Sequence, residues 1–184
     1  SRWQAAPQTG SVKAMFTGRP VPPPLRVQLP GGDRQQPEQG ERMTTLFTRI
    51  IEGEIPGRFV WKDDDVVAFL SIGPLADGHT LVVPRQEIDK WTDAPADLLA
   101  KMTAVAQAIG QVQVDVFGAE RAGLTIAGFE IDHLHIHVWP ANSLQDFDFS
   151  RAETNPDQDR MAENAEKLRE GLRAAGHGEF VPEA

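Results

Sequence analysis

The stretch that decides both the fold and the chemistry spans residues 133–139 and reads His133-Leu134-His135-Ile136-His137-Val138-Trp139. Polar and apolar residues alternate along it, which is the pattern of a strand that buries one face. Such a strand would send its apolar side chains to the core and let all three imidazoles converge on one opening. The chain has 5 histidines in all, so this concentration indicates a functional cluster.

Imidazoles two apart on one strand face stand roughly 6–7 Å from one another, at a rise of about 3.3 Å per residue. This spacing suits a small anion or a metal ion. Near pH 7 one ring could attack a phosphorus atom while its neighbours position the phosphate and stabilise developing charge. The same three rings could also bind zinc and leave a position open for water. The residues alone leave both interpretations open.

The flanking sequence predicts an α+β fold with the order α-β-β-β-α-β-β-α. Turn residues separate β-rich runs, which predict strands at 58–62, 66–72, 79–83, 123–127 and 133–139. Pro84 and Pro140 are expected to end the third and the fifth strand, because proline cannot donate to a ladder. Short links between neighbouring strands indicate antiparallel pairing in a sheet of about five strands.

Three helices are predicted around this sheet. A short one is capped by Thr44 or Thr45, and a long one runs from the Asp93 region to Gly118 with apolar residues at threes and fours. A last helix follows the turn at 155–158. The long helix has enough apolar surface to cover one face of the sheet.

Composition divides the chain into three parts. Residues 1–42 hold half of the 14 prolines, six basic and three acidic groups, and no apolar period, so we expect a disordered or extended leader there. Residues 43–142 are expected to form a catalytic domain, and 143–184 a C-terminal loop and helix. The last two parts together carry a net charge of −12, which disfavours a long nucleic acid as partner.

The same composition limits the chemistry and the location. With 0 cysteines the chain cannot form a disulfide, a thiolate zinc site or a cysteine nucleophile. The longest apolar run is far shorter than the roughly 20 residues that cross a bilayer, so no membrane partner is expected. No secretory signal is visible, and we expect a cytoplasmic protein.

The motif His-φ-His-φ-His-φ-φ, with φ an apolar residue, is followed here by proline and resembles the signature of the histidine triad (HIT) family. Residues 47–56, 63–72 and 78–84 also look like the first helix and early strands of that family, so the resemblance covers about residues 45–140. It implies a nucleotide hydrolase or nucleotidyl transferase acting at the α-phosphate of a nucleoside phosphoramidate, dinucleoside polyphosphate or adenylylated substrate. It also implies a covalent nucleotidyl-histidine, no required metal or other cofactor, and a homodimer that completes the sheet.

Carried over by position, the resemblance implies a role for each histidine of the cluster. His135 would be the nucleophile, His137 would bind the α-phosphate and assist the leaving group, and His133 would orient the cluster. His79 corresponds to an upstream histidine that supports the triad, and the backbone of Gly128 would approach the phosphate. The base and ribose of the nucleotide would meet Leu46, Phe47, Ile50, Phe69, Ser71 and Ile72.

Three positions depart from the family pattern. Ser71 stands where many relatives have aspartate for the ribose hydroxyls, Phe129 where the loop before the triad usually has glutamine, and Glu87 where many have another histidine. The missing aspartate and glutamine motivate one alternative, a nucleotide-binding module with little turnover. A metal-dependent hydrolase that uses the three histidines as ligands is the other alternative.

Overall fold

The computed structural model describes residues 44–183, and the expected leader at 1–42 lies outside them. The strands are β1 (Phe59–Lys62), β2 (Val66–Leu70), β3 (Thr80–Pro84), β4 (Arg121–Thr125) and β5 (Ile136–Ala141). They form one antiparallel sheet in the order β1-β2-β3-β5-β4. This arrangement confirms the predicted α+β class with five strands.

The helices are α1 (Leu46–Ile51), α2 (Ala96–Phe117) and α3 (Gln158–Leu172). Thr45 caps α1, because its side chain accepts a hydrogen bond from the backbone N–H of Thr48. Gly118 ends α2 in the left-handed region at φ 63°, where a residue without Cβ is favoured. Asp157 caps α3 in the same way as Thr45 caps α1. Two short 3-10 turns, Leu144–Phe147 and Phe149–Arg151, connect β5 to α3.

The first face of the sheet packs against α2, which in turn contacts α3. Alternate strand residues such as Val82, Ile136 and Val138 point to this side, and all three are at most 1% exposed. They meet Met102 and Leu168 from the helices, both 0% exposed. This apolar layer is the main core of the described chain.

The second face carries α1 and a smaller apolar cluster. The intervening strand residues Phe69, Leu81 and Val83 point here and pack against Phe47 and Ile50 of α1. Every residue of β2 is buried, because both faces of this strand are covered. This explains why its sequence is apolar along its whole length. The histidines of the cluster lie beside this smaller cluster.

Two predicted strand boundaries are wrong for one physical reason. β3 extends through Pro84 and β5 extends through Pro140, whereas both prolines were expected to end their strands. Pro84 pairs only with Val66, and Pro140 pairs only with Ala122, because the pairing between β3 and β5 covers just three residue pairs. A strand position with a neighbour on one side alone tolerates the missing N–H of proline.

At its other end β5 begins later than predicted, at Ile136. His133 and His135 therefore precede the strand. The division of the chain after residue 142 stays a prediction, although α3 packs directly on α2 and β1. Within residues 44–183, no helix combines the length and the apolar character needed to cross a membrane.

Candidate functional site

A cavity of about 320 Å³ opens on the sheet face that carries α1. His135, His137 and His79 contribute to its wall, whereas His133 and Gly128 do not. The predicted nucleotide contacts that do line it are Leu46, Phe47, Ile50, Phe69, Ser71 and Ile72. The structure therefore brings most of the predicted site residues together around one opening.

His135 is held by its own backbone neighbour. Its Nδ1 lies 2.7 Å from the carbonyl oxygen of His133. A carbonyl oxygen only accepts hydrogen bonds, so Nδ1 carries the proton and the lone pair of the neutral ring is on Nε2. The Nδ1 edge faces the backbone, which leaves the Nε2 edge for the cavity. Phe47 packs edge-on against this ring with a centroid distance of 5.0 Å.

His133 is fully buried and does not line the cavity. Its Nε2–H donates to the carbonyl oxygen of Pro84 over 2.8 Å, and its Nδ1 lies 2.6 Å from the hydroxyl of Thr45. Both ring nitrogens are thus used by the protein. The prediction that all three imidazoles converge on one opening is wrong for His133, because its two ring nitrogens are bonded to Pro84 and Thr45 and the residue does not line the cavity.

His137 and His79 form a pair at the wall of the cavity. His79 Nε2 lies 3.0 Å from His137 Nδ1, and His79 Nδ1 accepts a hydrogen bond of 3.0 Å from the backbone N–H of Leu75. Since His79 Nδ1 accepts, the proton of the neutral ring is on Nε2, which donates to His137 Nδ1. Neutral His137 then carries its own proton on Nε2. The backbone thereby assigns a tautomer to each ring in turn.

Burial keeps these rings neutral. It lowers the pKa of His79 to about 3, with a further contribution from the nearby His137 and His135. Burial and the proximity of His135 lower the pKa of His137 to about 4. Burial also lowers the pKa of His135, against the opposing effects of the His133 carbonyl and Glu130. At neutral pH the site therefore offers a bare Nε2 on His135 and an N–H on His137.

The sequence analysis did not name several residues of the cavity wall, among them the aromatic Phe149. Phe149 lines the cavity, and its ring packs edge-on against His137 at a centroid distance of 5.1 Å. It is held there because the segment before it is anchored, with Trp139 Nε1 donating to the carbonyl oxygen of Asp146 over 2.9 Å. The aromatic residues at 147 and 149, in an otherwise polar stretch, were the available signal.

The positions that depart from the family pattern have distinct environments. Ser71 is 8% exposed and accepts a weak hydrogen bond of 3.3 Å from the Gly73 N–H, so its own proton can be donated into the cavity. The Phe129 side chain is 95% exposed, in the loop between β4 and β5. Gly128 lies beside it at φ 74°. Glu87 instead faces α1, where it accepts hydrogen bonds from Thr45 and Thr48.

The geometry does not fit a three-histidine metal centre. Each ring nitrogen of His133 is engaged by a protein group, so it has no free lone pair to offer an ion. Across residues 44–183 no three side chains of His, Cys, Asp or Glu are grouped as a metal site.

Comparison with known proteins shows the family that the chain is similar to. The family model described as the HIT domain matches residues 52–144, half of the chain. An uncharacterised HIT-like protein of Methanocaldococcus jannaschii is 33% identical over 99 residues, which are 52% of this chain and 77% of that protein. The adenosine 5'-monophosphoramidase HNT1 of Saccharomyces cerevisiae is 31% identical over 96 residues, covering 52% of this chain and 61% of that protein.

The fold has solved counterparts as well. The crystal structure of a zinc-bound histidine triad family protein from Mycobacterium smegmatis matches with a TM-score of 0.62 and 27% identity. The match covers 74% of this chain and 98% of that one. The similarity thus extends beyond the residues that the family model matches.

Proposed function

This chain belongs to the histidine triad (HIT) family, and we propose that it is a nucleotide hydrolase or nucleotidyl transferase that works through a nucleotidyl-His135 intermediate. The substrate would be a nucleoside phosphoramidate, a dinucleoside polyphosphate or another adenylylated molecule. The similarity to a yeast adenosine 5'-monophosphoramidase supports a phosphoramidate first. A named relative alone does not define chemistry, so the proposal depends on the site.

The observation that carries the proposal is the complementary protonation of two neighbouring rings. His135 has its proton on Nδ1, and His137 has its proton on Nε2, as their hydrogen-bond partners require. The ring centroids are 4.9 Å apart. One ring can thus attack a phosphorus atom while the other donates a hydrogen bond to a phosphate oxygen that gains charge.

The proposed reaction has two displacements. The Nε2 lone pair of His135 forms a bond to the α-phosphorus, and the leaving group departs with the electron pair of its own bond and takes a proton from water. The ring now carries a positive charge, which the carbonyl oxygen of His133 stabilises through the Nδ1–H. Water or another acceptor then attacks phosphorus and gives its proton to the hydroxide that the first step left, and the N–P electron pair returns to Nε2. The products are the leaving group with its proton and a nucleotide bonded to the acceptor.

The rest of the cavity offers suitable contacts for a nucleoside. Its apolar walls, from Phe47, Ile50 and Phe69, offer a surface for a base, and the Ser71 hydroxyl offers a neutral donor for a sugar oxygen. A hydroxyl in place of an aspartate orients a ribose less strongly. We therefore expect weaker selection for the ribose than an aspartate would provide.

The test is brief incubation of the protein with adenosine phosphoramidate labelled at the phosphorus. Label should attach to the wild type through an acid-labile bond and should be absent from His135→Ala. His177→Ala is the matched control, because that ring packs against Trp61, away from the cavity, and it should be labelled like the wild type. Equal turnover by His135→Ala would overturn the proposal. Tight nucleotide binding without turnover would favour the nucleotide-binding module instead.

We further propose that two copies pair through β4, which has β5 as its partner on one side among the described strands. Beside it runs an open groove of about 590 Å³, lined by Gly110, Ala122 and Leu124 among others, with Leu124 49% exposed. A second β4 would satisfy the open edge and cover this groove. Light scattering should then give twice the mass of one chain, and a monomer at assay concentrations would contradict the pairing.

A further inference from the structure

A chain of hydrogen bonds joins the start of α1 to the buried end of the histidine cluster. The Thr45 hydroxyl lies 2.6 Å from His133 Nδ1 and also accepts from the backbone N–H of Thr48 over 3.1 Å. The Thr48 hydroxyl donates to Glu87 Oε1 over 2.6 Å, and the same oxygen accepts from the backbone N–H of Thr45 over 3.0 Å. The chemistry assigned to His135 and His137 makes no use of these three residues.

The donor and the acceptor of each hydrogen bond between His133 and Glu87 follow from the groups at the two ends of the series. The Pro84 carbonyl can only accept, so His133 has its proton on Nε2 and a lone pair on Nδ1. The Thr45 hydroxyl must then donate to Nδ1. At the other end, the Glu87 carboxylate accepts from Thr48. This arrangement gives each of these hydrogen bonds one donor, leaves the 3.2 Å contact between the two threonine hydroxyls without a proton, and holds the ring of His133 in a single orientation.

The orientation of His133 bears directly on His135. The His133 carbonyl accepts the proton of His135 Nδ1, and this hydrogen bond is what leaves Nε2 bare. The same stretch of chain is tied down beside Glu87, since the backbone N–H of Leu134 donates to the carbonyl oxygen of Ile88 over 2.6 Å. A shift of the His133 backbone would therefore move the acceptor that assigns the His135 tautomer.

The helix that Thr45 caps also forms part of the cavity wall. Phe47, two residues after Thr45, packs edge-on against the rings of both His135 and His133, at 5.0 and 5.8 Å. α1 thus carries part of the wall proposed for the base and, through its capping residue, also contacts His133. A base that seats against Phe47 would press on the same helix that holds the buried histidine.

From this connection we propose that Thr45, Thr48 and Glu87 are positioning residues, which couple the seating of α1 on the nucleotide to the orientation of His135. The inference rests on the function proposed above. It assigns these residues an effect on the chemical step, because a displaced nucleophile costs rate even when the substrate still binds.

The test compares Thr45→Val, which keeps the shape of the side chain but removes the hydroxyl, with Thr45→Ser, which keeps the hydroxyl. We expect kcat to fall about 10-fold in Thr45→Val with KM within about twofold, and Thr45→Ser to stay within about twofold of the wild type. Thr92→Val is the control for a threonine exposed at the surface and should match the wild type. Thr48→Val, which leaves Thr45 in place, should lower kcat about threefold.

A second readout does not require turnover. Nitrogen NMR of the histidine rings should find the wild-type His133 protonated on Nε2 and His135 protonated on Nδ1. In Thr45→Val we expect the His133 signals to lose the shift of a hydrogen-bonded Nδ1 and the His135 signals to show mixed tautomers. Should Thr45→Val fail to fold, the same measurement on Thr48→Val decides the matter.

Two results would overturn the coupling. One is an unchanged ring spectrum in folded Thr45→Val or Thr48→Val, and the other is a rise in KM with kcat unchanged, which would make α1 only a wall. If the wild type turns over no nucleotide at all, the proposed function fails. The ring spectra of the variants would still decide whether Thr45 sets the tautomers.

Discussion

The two faces of the sheet are built from alternate residues of the same strands, yet they differ in what they bury. Towards α2 and α3, side chains such as Ile136 and Val138 pack into a large apolar cluster. Towards α1, a small apolar cluster adjoins buried imidazoles and a cavity of about 320 Å³. Apolar burial on one face can therefore supply stability while polar groups on the other remain neutral and ready to react. Stability and chemistry should separate when the two faces are changed one at a time.

The largest effect is expected from the packed face. Leu168 of α3 is 0% exposed within the main core, and Leu168→Ala should lower the free energy of unfolding by about 2–5 kcal/mol, since it leaves a cavity among well-packed neighbours. Urea denaturation at neutral pH measures this. Activity per folded molecule should not change. His135→Ala is the opposite case, with activity lost and the urea midpoint nearly kept, and a large loss of activity in folded Leu168→Ala would show that the faces are not independent.

A second effect comes from the site face and depends on pH. Burial lowers the pKa of His79 to about 3, whereas the unfolded chain has a value near 6.5. Between these values the unfolded state binds more protons, so the protein loses stability as the pH falls from about 6.5 towards 3. We expect a loss on the order of 2 kcal/mol between pH 6.5 and 4.5 from this residue.

Thermal unfolding over that pH range, for the wild type and for His79→Gln, checks this expectation. The variant removes the titrating group, so its stability should decline less steeply with falling pH. Parallel declines in the two proteins would mean that burial does not keep His79 neutral. The loss of stability at low pH would then come from other groups.

The smallest effect concerns Phe149, a wall residue that the sequence analysis missed. Phe149→Leu keeps an apolar side chain but removes the aromatic edge that contacts His137, so we expect kcat to fall about threefold, on the scale of one aromatic pair. Phe147→Leu is the matched control, because Phe147 packs on Trp139 at 4.9 Å. Steady-state kinetics of both variants decide the point, and equal losses would mean that the segment matters only as packing.

The sequence predicted the fold well because its signals were local. Alternation along 133–139 assigned Leu134, Ile136 and Val138 to the core, and all three are 1% exposed. Capping residues such as Thr45 and Gly118 marked helix ends correctly. Strand ends were less predictable, because whether a proline such as Pro140 is tolerated depends on how many neighbours the strand has at that position.

The sequence predicted the site residues that belong to the histidine motif better than the contacts between distant parts of the chain. The alternation could not reveal that the ring of His133 turns back to Thr45 and Pro84, since those contacts join residues far apart in the chain. Nor could it reveal Phe149, which reaches His137 only because the segment after β5 folds back over the sheet. The roles of the individual histidines stay predictions that the labelling experiment tests.

The cavity wall has a consequence for how this protein could be shortened. Phe47 and Ile50 precede the residues 52–144 that match the family model, and Phe149 and Met161 follow them, yet all four line the cavity. A fragment cut at the limits of the matched region would keep the histidine motif and lose both flanks of its pocket. A shortened protein, or a graft of this site onto another scaffold, should therefore retain at least residues 44–172, which include the whole of α3 and Leu168 of the main core.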